Sequence, residues 1–312
     1  MRLMEHIGNL PINDSGSFTS RGFIFTVGGV LSGKEAPYVI RVTLPIKAGK
    51  KLVVKKMASL PISIKNPTCI VVKDTVYVLG GSCDGKPNPR VFSARVDKLG
   101  DILRWYEGPQ LPNPMLGTTF AVSRGNLIAL GGTSRNAFVG LSKEVYSIRI
   151  YSGGFDENWH PVHKFHYAVH DALPLYGHRD HLHVIGGYTS KGPSSACCES
   201  KYTVEGDIYK WTCGASVVDP IVGGRTLQYG DLNLIVTTLA NGSGVLYAIP
   251  KQVDGTLGCC RLVCMLPGTL VHGICEVVGD YLYATFASGV LTPAEGIYQF
   301  SLRDFLSDEI II

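Results

Sequence analysis

The sequence has no apolar run approaching the roughly 18 residues that a membrane-spanning helix needs, so it predicts no transmembrane segment. It also has little net charge, +4 over 312 residues, and its Lys and Arg residues are scattered. That distribution excludes the concentrated basic footprint of a nucleic-acid binder. The one locally basic stretch, Lys47 to Lys56, reads as a solvated strand edge. Paired Cys-x-x-Cys knuckles are missing as well: Cys197-Cys198 and Cys259-Cys260-Arg261-Leu262-Val263-Cys264 lack the spacing of a zinc site. The nine cysteines are odd in number, and most stand in apolar stretches, Cys69 and Cys275 among them. They are expected to be packed free thiols, which suits a reducing compartment. The first residues carry Arg2, Glu5 and His6 where a signal peptide needs an apolar core. The expectation is a cytoplasmic protein without membrane or nucleic-acid partners.

Tryptophan is scarce too, with three in the chain, but the three are regularly placed, and so are the glycine pairs that precede them. Thr75-Val76-Tyr77-Val78-Leu79-Gly80-Gly81 is an apolar run ending in two glycines. It returns as Leu127 to Gly132, His183 to Gly187 and Phe23 to Gly29. The first glycines fall at 28, 80, 131 and 186, in steps of 52, 51 and 55 residues. Trp105, Trp159 and Trp211 follow at 25, 28 and 25 residues. Leu-Pro pairs at 10, 60, 111 and 266 mark the ends of units. Similar steps beyond Gly186 reach Thr237 and Ala284 in apolar runs without glycine pairs. A period near 50 means one repeated supersecondary unit, and six such units account for residues 1–312 as one domain.

Each unit reads as four short strands; in the second they are Thr68–Val72, Thr75–Leu79, Val91–Val96 and Ile102–Tyr106. Such regular short strands fit a propeller blade. The 45% hydrophobic content fits sheets covered on both faces. The glycine pair lets the inner strand leave its sheet at positive φ and lets neighbouring backbones approach closely. Met4 precedes Leu10 by the interval that separates Trp105 from Leu111, so Met1 to Gly8 reads as an outer strand without its own blade. Pairing it with a strand near Gly296–Leu302 closes the ring. The rival closing strand is Ile310–Ile312.

Apolar run, Gly-Gly, Trp and Leu-Pro together resemble the kelch repeat, strongly in the middle four units. The fold class expected is therefore all-β, a six-bladed kelch-type β-propeller with four-stranded blades, closed by a strand from the opposite terminus.

Seven of the nine histidines are crowded between His160 and His183. His178, His181 and His183 flank an inner-strand turn, whereas His160, His163, His166 and His170 run from an outer strand back toward the axis, so no metal site is expected from them. The loop Gly81-Ser82-Cys83-Asp84-Gly85-Lys86-Pro87-Asn88-Pro89-Arg90 is more pointed. An acid and an arginine, stiffened by two prolines, are suited to proton transfer and to gripping an anion. The alternative is a surface ion pair of little energetic worth. Polar and small residues align before each inner strand at Asn66, Gly117-Thr118, His170-Asp171, Gly223-Gly224-Arg225 and His272. Arg135 in the third unit's loop joins this set.

The loop resembles that of the sialic acid mutarotase (N-acetylneuraminate epimerase) family of kelch propellers, where an acid, Lys-Pro and an arginine six after the acid stand in this position. Here they are Asp84, Lys86-Pro87 and Arg90, followed by Val91-Phe92. The family acid is a glutamate; Asp84 is one methylene shorter. The text from Val91 through Trp105 to Leu111-Pro112 resembles a circularly permuted branch of the family. The resemblance implies an isomerase that interconverts the α and β anomers of a sialic acid without a cofactor. Asp84 and Arg90 become the catalytic candidates, and Asn66, Arg135, His170, Arg225 and His272 the substrate-binding ones. The alternatives are a non-catalytic kelch module whose loops dock a protein partner or a second copy, and another small-molecule isomerase or lyase.

Overall fold

The structure is a computed structural model and describes residues 2–6, 13–44, 52–134, 140–151, 154–216, 219–239, 241–287 and 296–306. It is nearly all strand. Six antiparallel sheets form the six four-stranded blades of a β-propeller. Blade 1 is Gly16–Ser20, Phe23–Val27, Val39–Thr43 and Val53–Lys56. Blade 2 is Thr68–Val72, Thr75–Leu79, Phe92–Arg95 and Tyr106–Glu107. Blade 3 is Thr119–Ser123, Asn126–Leu130, Val145–Tyr151 and His160–Pro161. Blade 4 is Leu173–Tyr176, Leu182–Ile185, Ala196–Tyr202 and Ile208–Ser216. Blade 5 is Arg225–Tyr229, Leu232–Thr238, Gly244–Pro250 and Arg261–Met265. Blade 6 is Thr269–Val278, Tyr281–Ala287 and Gly296–Ser301, completed by Arg2–His6. No helix among the described residues is long and apolar enough to cross a membrane.

The chain divides into two compact units, one of residues 1–108 and 267–309, the other centred on residues 109–266. The first holds blades 6, 1 and 2. There the N-terminal strand pairs antiparallel with the last strand, Arg2 opposite Gln299 and His6 opposite Gly296, as the Met4 alignment predicts. Ile310–Ile312, the rival closing strand, lies outside the described residues. Alternate residues of the blade 1 inner strand serve different cores, because side chains of a strand point alternately to its two faces. Phe25 and Val27 pack with Ile64, Val76, Val78 and Phe92 of blade 2. Ile24 packs with Ile274, Tyr283 and Ile297 of blade 6. The second unit holds blades 3, 4 and 5 and repeats the arrangement: Leu182 and Val184 join the core with blade 3, Leu173, Leu175 and Ile185 the core with blade 5.

The glycine pair joins consecutive blades. Gly131 has φ +68°, and a Cβ there would overlap the Val169 carbonyl oxygen on the segment leading into blade 4. Gly132 N–H donates to that same carbonyl at 2.8 Å. Gly29 makes the equivalent bond to Ile64 at 2.8 Å, and Gly187 to Ile221 at 2.7 Å. A side chain at position 131 therefore meets a left-handed backbone and a steric barrier together. Gly131→Ala is expected to lower stability by about 2–3 kcal/mol, read as a shift in urea midpoint at unchanged slope. The repeated tryptophans do a second joining job. The indole N–H of Trp105 donates to Ala58 O at 2.8 Å, that of Trp159 to Pro109 O at 3.1 Å and that of Trp211 to His163 O at 3.2 Å.

Two expectations change. The outer strand of blade 2 is reduced to Tyr106–Glu107, and Ile102 ahead of it is buried in the core outside any strand. In blade 4, Cys198 and Cys213 face each other across adjacent strands and are joined in a disulfide. This corrects the reading of all nine cysteines as free thiols, and removes for this pair the premise of a uniformly reduced protein. The pairing is a matter of cross-strand register, which sets opposed Cβ atoms about 4.5–5.5 Å apart, and not of spacing along the chain. Cys69, Cys83, Cys197, Cys259, Cys260, Cys264 and Cys275 remain as thiols. Thiol titration in denaturant should accordingly find seven reactive groups before reduction and nine after it.

Candidate functional site

Five of the blades enter their first strand through a corner, and these corners are built alike. Asp14, Asn66, Gly117, Asp171 and Gly223 all have left-handed φ, between +51° and +65°. In the first unit Asn66 N–H donates to Asp14 O, and Asp14 N–H to His272 O, both at 2.7 Å. In the second, Gly223 N–H donates to Asp171 O at 2.8 Å, and Asp171 N–H to Gly117 O at 2.7 Å. Asn66, Gly117, Asp171 and Gly223, singled out by alignment of the repeats, thus occupy equivalent corners, while His272 lies within the strand Thr269–Val278 and shares only the accepting carbonyl.

In the first unit, two short hairpins follow the glycine pairs of blades 1 and 2: Val30–Leu31 with Lys34–Glu35, and Ser82–Cys83 with Lys86–Pro87. Asp84 and Gly85 are the two turn residues of the second, at φ +51° and +70°, which is the geometry that Asp-Gly and Asn-Gly favour. Asp84 is exposed. Its backbone N–H donates to Glu35 Oε2 at 2.9 Å, so the two hairpins are in contact and the Glu35 carboxylate lies against the Asp84 turn. The Cys83 thiol is pushed up by burial and, beyond that, by the charges of Asp84 and Glu35. Glu35 escapes a reading along the sequence, because nothing in its own hairpin announces which neighbouring loop it meets.

Arg90 does not reach for Asp84. Its Nε and Nη2 donate to the two carboxylate oxygens of Glu107 at 2.7 and 2.6 Å, and its guanidinium lies 5.2 Å from the Phe92 ring. The pair raises the pKa of Arg90 and holds Glu107 below the usual carboxylate range through the same hydrogen bonds. Nη1 and the second N–H of Nη2 form the edge that Glu107 does not use. The amide of Asn88, buried between the two prolines, donates to Gly80 O and Arg90 O and fixes the loop. Asn66 stands beside this loop, since its neighbour Lys65 exchanges backbone hydrogen bonds with Ser82 at 2.9 and 2.8 Å. The Asn66 side-chain oxygen is buried without a hydrogen-bond partner. Lys65 Nζ lies 3.0 Å from Asp14 Oδ2. His272 is exposed on the first strand of blade 6.

The second unit has its own polar group. His170 is buried, its Nδ1 lies 2.6 Å from Asp171 Oδ2, and its ring stacks on Tyr188 at 5.5 Å. Arg225 opens the first strand of blade 5 opposite Val236. Arg135 lies outside the described residues. The crowded histidines separate in part: His160 pairs with Asp207 and His166 with the Trp211 carbonyl. His181 and His183, which the sequence places at one inner-strand turn, stand together with Glu199. Their ring nitrogens and a carboxylate oxygen of Glu199 lie within 4.8 Å of one another, since His183 and Glu199 are opposed across two strands. Burial pushes the His183 pKa down.

No family model matches the sequence, and no curated protein matches it. Among solved structures, one described as "Structure of YjhT" superposes with a TM-score of 0.68 at 14% identity, covering 97% of this chain and 98% of that one. At that identity the likeness shows the fold alone.

Proposed function

We propose that this propeller is a mutarotase-like isomerase that interconverts the α and β anomers of a sialic acid, in the manner of the kelch mutarotases its blade 2 loop resembles. The observation that carries the reading is the contact between two hairpins beside the Asn66 corner, in which the backbone N–H of the exposed Asp84 donates to the Glu35 carboxylate. Anomer exchange needs a group that takes the proton of the anomeric hydroxyl and one that gives a proton to the ring oxygen. The ring C–O bond then breaks to an open-chain keto acid, which recloses on its other face with the protons returned. Asp84 moves the proton, and Glu35 on the neighbouring hairpin supplies the second carboxylate. Arg90, anchored by Glu107, keeps an edge of its guanidinium for the sugar's own carboxylate. The unpartnered Asn66 oxygen accepts a hydroxyl or N–H of the substrate, and His272 contributes from the exposed face of the first blade 6 strand. None of this chemistry calls on a cofactor.

The substrate class is tested through Arg90. Arg90→Lys keeps the charge but loses the fork that grips a carboxylate with two bonds. Its KM for N-acetylneuraminate should rise by about tenfold or more, with a smaller change for a neutral pyranose. Equal losses for both sugars would show that Arg90 supports the loop and does not read the carboxylate.

A further inference from the structure

At the far end of the blade 4 strand that begins after His170, the chain turns through Gly177 to His181 and returns as Leu182–Ile185. We propose that His181, His183 and Glu199, on this returning strand and its neighbour, bind one divalent transition-metal ion, zinc being the best match to the donor set. The two-residue period of a strand puts His181 and His183 on one face, and register places Glu199 directly opposite His183. One donor atom from each lies within 4.8 Å of the other two. Ligand bonds of about 2.0–2.2 Å require donor separations of about 3.3 Å, so binding an ion draws the three donors closer together.

Two further features point to an ion. His183 Nε2 lies 3.0 Å from the Gly255 carbonyl oxygen. As donor in that bond it fixes the tautomer and leaves Nδ1 with the lone pair, and this backing of a ligand histidine by a backbone carbonyl is usual in metal sites. His181 Nδ1 is buried without a hydrogen-bond partner, an unfavourable state for a ring nitrogen that coordination relieves. Gly255 belongs to the same arrangement, since a Cβ at that position would stand 2.7 Å from His181 Nδ1. Two imidazoles and one carboxylate suit a borderline metal and not calcium or magnesium, which take oxygen ligands. Three protein donors leave a fourth position for water or a ligand oxygen. The site shares no residue with the hairpins to which isomerase chemistry is assigned, so its test stands apart from theirs.

The test is a titration of the chelator-dialysed full chain with zinc chloride against a chromophoric zinc chelator, repeated with cobalt(II) to show d–d absorption. One equivalent of zinc should bind, with no thiolate charge-transfer band in the cobalt form. Glu199→Gln and His181→Gln should each weaken binding by about 100-fold or more, while Cys259→Ser, an exposed thiol control, should not. Because a variant can fail to fold, wild-type protein labelled with ¹⁵N-histidine gives a second readout: zinc should shift the ring nitrogens of His181 and His183. Absence of stoichiometric binding, variants that bind like wild type, a loss confined to Cys259→Ser, or unshifted His181 and His183 nitrogens would each overturn the site.

Discussion

Replacing Asp84 by asparagine should slow anomer exchange by about 10²–10⁴-fold, the usual contribution of a positioned general acid or base, while the protein keeps its melting temperature. The second half of that expectation comes from the turn. Asp84 and Gly85 both have positive φ, and Asn-Gly suits such a turn as well as Asp-Gly. The backbone N–H that Glu35 accepts from is also retained in the variant. The substitution thus removes a carboxylate and little else. Exchange measured by proton NMR and unfolding followed by circular dichroism separate the two effects. A variant as fast as wild type would move the proton transfer away from Asp84, with Glu35 the next carboxylate to replace.

Removing the N-terminal strand should have the largest effect on stability. Arg2–His6 is the outer strand of blade 6 and pairs along Gly296–Ser301. Without it those residues present a row of unpaired N–H and C=O groups, an edge prone to association. Several ladder hydrogen bonds are lost at about 1 kcal/mol net each, so deletion of residues 1–6 should cost about 3–5 kcal/mol. The truncated chain should elute as larger species on size exclusion. A truncated protein with the wild-type urea midpoint would show that this pairing contributes nothing to stability.

The parts of the fold that repeat were legible in the sequence, because the same physical demand recurs in each blade. Gly28, Gly131 and Gly186 each press against a carbonyl of the next blade's entry segment, so the glycine is required every time and its period can be counted. The tryptophans mark a recurring indole-to-carbonyl bond in the same way. Met4 could be matched to Trp105 because an outer strand precedes its Leu-Pro at a fixed interval, and that match placed the closing strand. Contacts set by cross-strand register or by neighbouring loops leave no such period. Glu35 against Asp84, Arg90 on Glu107, Cys198 bonded to Cys213, and Glu199 opposite His183 each depend on which residues stand opposite once the strands are aligned. The Asp84 turn lies between these cases: its Asp-Gly sequence announces a hairpin, and only the neighbouring blade shows what else it meets.

The most direct measurement is the exchange rate itself, obtained by proton NMR on freshly dissolved N-acetylneuraminate away from anomeric equilibrium. With a catalytic amount of the wild-type protein the α and β signals should reach their equilibrium ratio many times faster than in buffer alone, in proportion to protein concentration. An unchanged rate at every protein concentration would contradict the isomerase and leave the propeller's loops as a surface for docking a protein.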